Sequence, residues 1–276
     1  MMRRRLALLP LLLATTATAG GAAPPARPVR IVSLNLCADQ YLLALADRSQ
    51  IVAVTQLARD PDMSAAANQA RGLHTTRGSA EEVLSLRPDL ILAAPGQRSA
   101  AIARAAGPRT PMVEVGWAND RNDIVAQIRT VAAAVGHRER GEALVARIDR
   151  ALAAIPHDAG RGATAAYYQR RGFLTGTGTL VDDLMRRLGL VNLAKRLGKP
   201  PLARVGLEEM ALARPDYLII ESETDRVTDQ GTEMLHHPLL AGIRRLRVPQ
   251  AWTVCGGPAY VWAAATLAAQ LRRTAR

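Results

Sequence analysis

Lysine, cysteine, histidine and aromatic residues are all scarce in this chain, and each scarcity closes off a class of protein. The only lysines are Lys195 and Lys199, so a net charge of +12 rests almost wholly on arginine. With abundant alanine, that pattern reads as GC-rich codon usage rather than a basic patch built for nucleic acid; a milder reading is attraction of an anionic ligand into a basic cleft. The five histidines, His74, His137, His157, His236 and His237, are scattered and mostly lie away from predicted strand ends. That argues against converging zinc ligands. No G-x-S-x-G elbow accompanies Ser33 or Ser222, and no Ser-His-Asp order stands out, which argues against an exported hydrolase. T-G-T-G-T at 175–179 lacks a P-loop lysine and does not form G-x-G-x-x-G. No apolar run approaches the roughly 20 residues of a membrane span. Aromatic residues are 3% of the chain. The two cysteines, Cys37 and Cys255, leave three readings open: a disulfide, two free thiols, or a ligand role.

What is present is a phrase written twice. Residues 81–92 read E-E-V-L-S-L-R-P-D-L-I-L, and residues 208–219 read E-E-M-A-L-A-R-P-D-Y-L-I. In each copy a Glu pair opens a helix, where carboxylates suit the N-terminal dipole. Proline ends the helix, and an apolar run then reads as a buried strand. The copies are too far apart for a solenoid, whose periods are about 20–50 residues. They imply two similar lobes and a cleft between them, where small ligands bind.

The N-terminus reads as a secretory signal. Met1–Arg5 is basic, Leu6–Ala14 is apolar, and Ala17-Thr18-Ala19 is an A-x-A cleavage pattern. Cleavage near Ala19 would leave a soluble periplasmic protein and remove three arginines, lowering the charge to about +9. Residues 20–29 are an extended lead. Strands are expected at Arg30–Leu34, Ile51–Thr55, Asp89–Ala93 and Met112–Val115, alternating with helices at Ala38–Ala46, Ala80–Leu86, Ser99–Ala106 and Asp120–Val135. This alternation marks βαβ units and a parallel sheet. The second lobe repeats it, with strands near Ala163–Tyr168, Tyr217–Ile220 and Ala251–Val254, the last burying Trp252. Its helices are expected near Leu180–Leu188, Gly206–Ala213 and Ala259–Arg273. Between the lobes, Leu144, Ile148, Leu152 and Ile155 recur at helical spacing before Pro156. The spacing predicts one connecting helix over Arg138–Ile155, about 27 Å long. The expected architecture is therefore α/β: an N-terminal lobe over 30–136, a connecting segment over 137–156 and a C-terminal lobe over 157–276. The sheets are parallel, one long backbone helix joins the lobes, and the ligand cleft lies between them.

In an open parallel sheet, ligands bind outside the C-terminal strand ends. Those positions hold Asn35, Leu36 and Cys37, then Gln56 and Arg59, then Arg98, then Trp117. The second lobe offers Tyr168, Gln169, Arg170 and Arg171, then Ser222 and Glu223, then Cys255, Gly256 and Gly257 with Tyr260. Trp117 and Tyr168 suit stacking on a planar ligand. Arg59, Arg98 and Arg170 suit carboxylates or an anionic metal complex.

From about Arg30 onward the chain resembles the helical-backbone class of periplasmic substrate-binding proteins, which serve ABC importers for ferric siderophores, haem and cobalamin. The resemblance is carried by R-I-V-S-L-N (30–35), G-S-A-E-E-V-L-S-L-R-P-D-L-I-L (78–92), T-G-T-G-T-L-V-D-D-L-M-R-R-L-G-L-V-N-L (175–193) and G-L-E-E-M-A-L-A-R-P-D-Y-L-I-I (206–220), in that order and spacing. It implies a binding protein without catalysis or an intrinsic cofactor. Its cargo would be a ferric siderophore, haem or cobalamin, and its partner a dimeric permease. It also implies that Glu81 and Glu208 dock on permease arginines, with Glu82 and Glu209 as the alternatives one residue on. Members that hold cobalamin or hydrophobic siderophores tend to use several rings, and this chain has few. A bare metal ion such as zinc is the alternative cargo.

Overall fold

The computed structural model describes residues 27–97, 100–107 and 110–274. The expected signal segment and Arg98 lie outside the described residues. Two sheets form the frame. The first contains β1 (Ile31–Ser33), β2 (Ile51–Thr55), β3 (Thr75–Thr76), β4 (Leu90–Ala93) and β5 (Met112–Glu114), in the order β3-β2-β1-β4-β5. Every pairing in it is parallel. The crossovers carry helices α1 (Leu36–Leu45), α2 (Ala80–Leu86) and α3 (Ala100–Ala106), and α4 (Arg121–Ala134) follows β5. β1 and β4 are apolar at nearly every position and fully buried, as strands covered on both faces must be.

The second sheet departs from the all-parallel expectation. β6 (Thr164–Gln169), β10 (Tyr217–Glu221) and β11 (Arg244–Val248) run parallel. β7 (Phe173–Thr175) and β9 (Leu202–Arg204) add to it antiparallel, and the short β8 (Val191–Asn192) pairs with the start of β6. The strand expected at Ala251–Val254 is instead a 3₁₀ turn at Gln250–Trp252. Pro249 precedes that turn, and the true edge strand is the arginine-rich β11, which buries only Leu246 and Val248. Trp252 is half-buried rather than in a strand, edge to face with Trp262 at 5.8 Å. The remaining helices are α5 (Arg138–Ala153), α6 (Leu180–Arg187), α7 (Leu193–Arg196), α8 (Leu207–Ala213), α9 (Gln230–Glu233) and α10 (Tyr260–Thr274).

The repeated phrase folds the same way twice. α2 and α8 both end on an arginine in the left-handed region, Arg87 at φ 44° and Arg214 at φ 42°. A non-glycine residue there is strained by about 1–2 kcal/mol. The proline that follows each arginine cannot continue a helix. Next comes an aspartate that fastens the new strand to its neighbour. Asp89 accepts from the backbone N–H groups of Val29 and Arg30, at 2.8 and 2.9 Å, at the threshold of β1. Asp216 accepts from Thr164 N–H at 2.7 Å, at the start of β6.

α5 follows the last unit of the first sheet and precedes the first strand of the second. It ends at Ala153, two residues short of the expected limit. Leu144, Val145, Ile148 and Leu152 form its buried stripe. Gly141 lets it lie close on α4, since a Cβ there would collide with Ala132. The principal core cluster is continuous through this junction: it includes Ile31, Tyr41 and Ile128, then Leu144 and Ile148, then Ala165, Tyr167 and Leu267. Two further ties cross it. Cys37 on α1 is bridged to Cys255, with Cα atoms 5.3 Å apart. The buried Tyr41 hydroxyl donates to the Gly256 carbonyl at 2.5 Å.

Asp39, one turn into α1, is fully buried. It accepts from the Thr55 amide and hydroxyl, so it pins α1 to the end of β2. Burial outweighs these bonds and pushes its carboxyl up from 3.8 to about 6.

Two outcomes are expected. The bridge closes a loop of 218 residues. Replacing both cysteines by serine should therefore lower the unfolding free energy by about 2–5 kcal/mol in urea titration. An unchanged midpoint would mean the bridge constrains nothing. For Asp39, the folded chain holds a proton between about pH 4 and pH 6 where the unfolded chain has lost it. The unfolded state binds fewer protons, so this group's contribution to stability falls as pH rises through that window. Asp39→Asn should flatten that part of the stability–pH curve, and a parallel curve would refute the assignment.

Candidate functional site

The C-terminal ends of β5, β6, β10 and β11 face one pocket of about 280 Å³. The first sheet contributes the loop after β5, with Trp117, Ala118 and Asn119. The second contributes Tyr167 and Gln169 from β6, Glu221 at the end of β10, and Gln250 and Thr253 from the turn after β11. A hollow of about 370 Å³ continues it past Arg170, Arg171 and Phe173, sharing Gln169, Glu221 and Gln250.

Each wall has a reason to stand where it does. Trp117 is 78% exposed, a large ring left open to solvent at the pocket mouth. Gly256 must be glycine, because a Cβ there would collide with the Cβ and carbonyl of Ala118. That close approach lets the segment before α10 lie against the Trp117 loop. Glu223 accepts from Gln250 N–H at 3.0 Å and so holds the turn that carries Gln250 and Thr253.

The floor is polar and buried. Glu221 is 3% exposed. Its Oε1 accepts from Gln169 Nε2 at 2.9 Å and from the Tyr167 hydroxyl at 3.3 Å. The Tyr167 hydroxyl also meets Thr253 Oγ1 at 3.0 Å. Burial raises the Glu221 carboxyl above the ordinary carboxylate range, and the Glu223 charge adds to this; Gln169, Tyr167 and Arg170 pull the other way. The same burial holds the Tyr167 phenol well above its ordinary value, so it remains a donor.

The expected site residues divide. Trp117 and Gly256 line the pocket, and Arg170 lines the adjoining hollow while paired with Asp229 at 2.8 Å. Asn35 caps α1, accepting from Cys37 and Ala38 N–H. Leu36 and Cys37 pack with Cys255. Gln56 is exposed in a 3₁₀ turn, and Arg59 donates to the Leu73 carbonyl. Ser222 lies in the turn after β10, outside the pocket lining. Tyr168 is fully buried and donates to the Val205 carbonyl at 2.8 Å. Its neighbour Tyr167 faces the pocket instead, because successive strand residues point to opposite faces. Tyr260 is buried and donates to Asp183 at 2.7 Å, away from this pocket. Gln169, inside the expected stretch 168–171, lines the pocket. Sequence reasoning missed Tyr167, Glu221 and Gln250; the strand-end rule could have found Glu221.

The two Glu pairs share one arrangement. Glu82 is bound internally, accepting from Thr76 Oγ1 at 2.6 Å, Arg77 N–H at 2.8 Å and Gly78 N–H at 3.0 Å. Those donors hold its carboxyl below the ordinary range, the Thr76 hydroxyl most. Glu209 is paired with Lys199 at 2.7 Å. Glu81 and Glu208 are exposed.

Two open sheets meeting over one pocket define a two-lobed α/β frame. The family model for periplasmic binding proteins matches residues 31–247, and the chain belongs to that family, one of binding proteins rather than enzymes. Cobalamin-binding proteins of two strains of Halobacterium salinarum are 23% identical over 205 residues, covering 72% of this chain and 56% of theirs. The chain thus spans about half the length of these relatives. Among solved structures, the apo periplasmic heme-binding protein RhuT from Roseiflexus sp. RS-1 is 26% identical with a TM-score of 0.71, covering 90% of this chain and 99% of that one. The fold is also that of the periplasmic heme-binding protein HutB of Vibrio cholerae, with 18% identity, TM-score 0.71, and 88% and 98% coverage. FhuD2 from Staphylococcus aureus shares it as well, with 19% identity, TM-score 0.67, and 90% and 100% coverage.

The division within each Glu pair has a direct test. Glu82→Ala should lower the melting temperature clearly, since it strips the Thr76–Gly78 turn of its acceptor. Glu81→Ala should leave it nearly unchanged. Equal shifts would contradict the arrangement.

Proposed function

We propose that this chain is an exported capture protein. It takes a metal chelate or a corrinoid into the cleft and delivers it to the dimeric permease of an ABC importer. The observation that carries the reading is the pocket where strand ends from both sheets converge, open at Trp117 and floored by Glu221. On this reading Met1–Ala19 directs export, 30–136 and 157–276 act as the two lobes, and 137–156 is the connector between them.

The chemistry of the pocket favours a cargo whose metal is already fully coordinated. Proteins hold haem iron through His, Tyr, Cys or Met side chains. Each tyrosine hydroxyl here is committed to an internal partner: Tyr41 to Gly256, Tyr167 to Thr253 and Glu221, Tyr168 to Val205, Tyr217 to Thr274 and Tyr260 to Asp183. Both cysteines are bridged, and among the described residues no histidine or methionine lines the pocket. No group of His, Cys, Asp and Glu suited to a bare ion occurs among them either. Amides and hydroxyls of Gln169, Gln250 and Thr253, with the Glu221 carboxyl, instead suit hydrogen bonds to the periphery of a chelate. Trp117 supplies a ring face for its plane.

Titration with cyanocobalamin, ferric hydroxamate and haemin, followed by absorbance and tryptophan quenching, tests this. Saturable binding of a coordinatively filled chelate is expected, weakened about tenfold or more by Trp117→Ala, the order of a lost stacking or charge-assisted contact. Binding should also weaken as pH falls and Glu221 takes up its proton, and Glu221→Gln should remove that dependence. Haemin binding with a protein-ligated iron spectrum would overturn the cargo reading.

Glu81 and Glu208 are the proposed docking carboxylates, one on each lobe, suited to a two-fold permease. The double alanine variant should keep cargo affinity while losing uptake into vesicles that hold the cognate permease, because charge pairing and steering are lost at both ends. Normal uptake would make these residues simple helix-start carboxylates.

A further inference from the structure

α2 and α8, the helices of the repeated phrase, each bury one side chain fully, Val83 in the first and Met210 in the second. At about 100° per residue, these two lie about 160° round the helix axis from Glu81 and Glu208. The first glutamate of each pair therefore stands on the outward face. Both are exposed, and no ion pair to either carboxylate occurs among the described residues.

Each helix also leaves a leucine in water on that face. Leu84 is 59% exposed and Leu212 is 83% exposed, the latter more than any other large apolar side chain among the described residues. Leu84 follows Glu81 by three residues and Leu212 follows Glu208 by four, so each lies within about 60° of its glutamate and one turn along. Neither packs on a core cluster. Single exposed leucines are common on protein surfaces. These two are matched by face rather than by sequence register: the position aligned with Leu84 holds Ala211, and the position aligned with Leu212 holds Ser85. Both lobes nevertheless set a leucine beside the unpaired carboxylate.

We propose that Glu81 with Leu84, and Glu208 with Leu212, form a two-part docking surface for the permease dimer. Each half of the partner sets a cation against the carboxylate and an apolar recess over the leucine. The proposal rests on the reading of Glu81 and Glu208 as docking carboxylates, and it names what holds the contact once they have met. Exposed ion pairs add little affinity in water and are screened by salt, so the carboxylates steer the encounter and fix its register. The leucines lose their water in the complex, and that contribution persists at high salt. Two like couples, one on each lobe, match a partner with two-fold symmetry.

The test is binding of the full chain to the cognate permease dimer in lipid nanodiscs, at low and at high salt. Leu84→Gln combined with Leu212→Gln preserves helix propensity. It should weaken binding about tenfold or more at both salt levels, the order expected from apolar burial, while melting temperature and cargo affinity stay unchanged. Glu81→Gln combined with Glu208→Gln should weaken binding mainly at low salt. Full affinity in the leucine variant, with the glutamate variant weakened, would overturn this proposal and leave the docking carboxylates standing. No binding by the unaltered chain would overturn both. A lowered melting temperature in the leucine variant would show that the leucines pack within the chain, against the proposal. A dimer of the unaltered chain in sedimentation, dissolved by the leucine changes, would assign them to a second copy and overturn it as well.

Discussion

The pocket depends on a seam where the segment before α10 is fastened to α1. The Cys37–Cys255 bridge and the Tyr41 bond to the Gly256 carbonyl hold it from one side. From the other, the bare Cα of Gly256 rests on Ala118. Part of the cleft wall adjoins this contact. Trp117 adjoins Ala118, Thr253 and Val254 lead into Cys255, and Thr253 in turn orients the Tyr167 hydroxyl over Glu221. A continuous core through α5 then makes the lobes one packed body behind the cleft. Opening them widely would expose apolar surface and strain a covalent bond.

The repeated phrase shows how one short instruction serves both architecture and surface. Its arginine closes the helix in the left-handed region, its proline forbids continuation, and its aspartate fastens the next strand to the sheet. Its second glutamate is used locally in both lobes, by a backbone turn in the first and by Lys199 in the second. Its first glutamate is left in solvent in both. The local roles account for all but that first residue.

Much of the fold was legible because its elements obey local rules. β2 and α2 fall within the bounds that their periodicity and capping residues imply. The failures share a cause. β11 carries Arg244, Arg245 and Arg247 and lacks a continuous apolar run, yet it is an edge strand whose inward residues, Leu246 and Val248, suffice. The apolar stretch after Pro249 reads as a strand, yet the seam bends it into a turn. At the site, Tyr167 and Tyr168 are adjacent letters with opposite fates, and a one-residue phase decides which hydroxyl meets the cleft. Glu221 ends β10, one residue past the expected strand, where two sheets converge and bury it.

By itself, then, the chain determined most elements of its first sheet, its two-fold internal likeness and the Glu pair at each of two helix starts. Each of these follows from interactions between residues close in sequence: dipole, cap, proline and alternating polarity. Tertiary structure alone decided that Cys37 meets Cys255, that Gly256 must lack a side chain, which tyrosine faces the cleft and which carboxyl becomes buried. Those outcomes arise between residues far apart in the chain, where packing distance rather than local preference selects the contact.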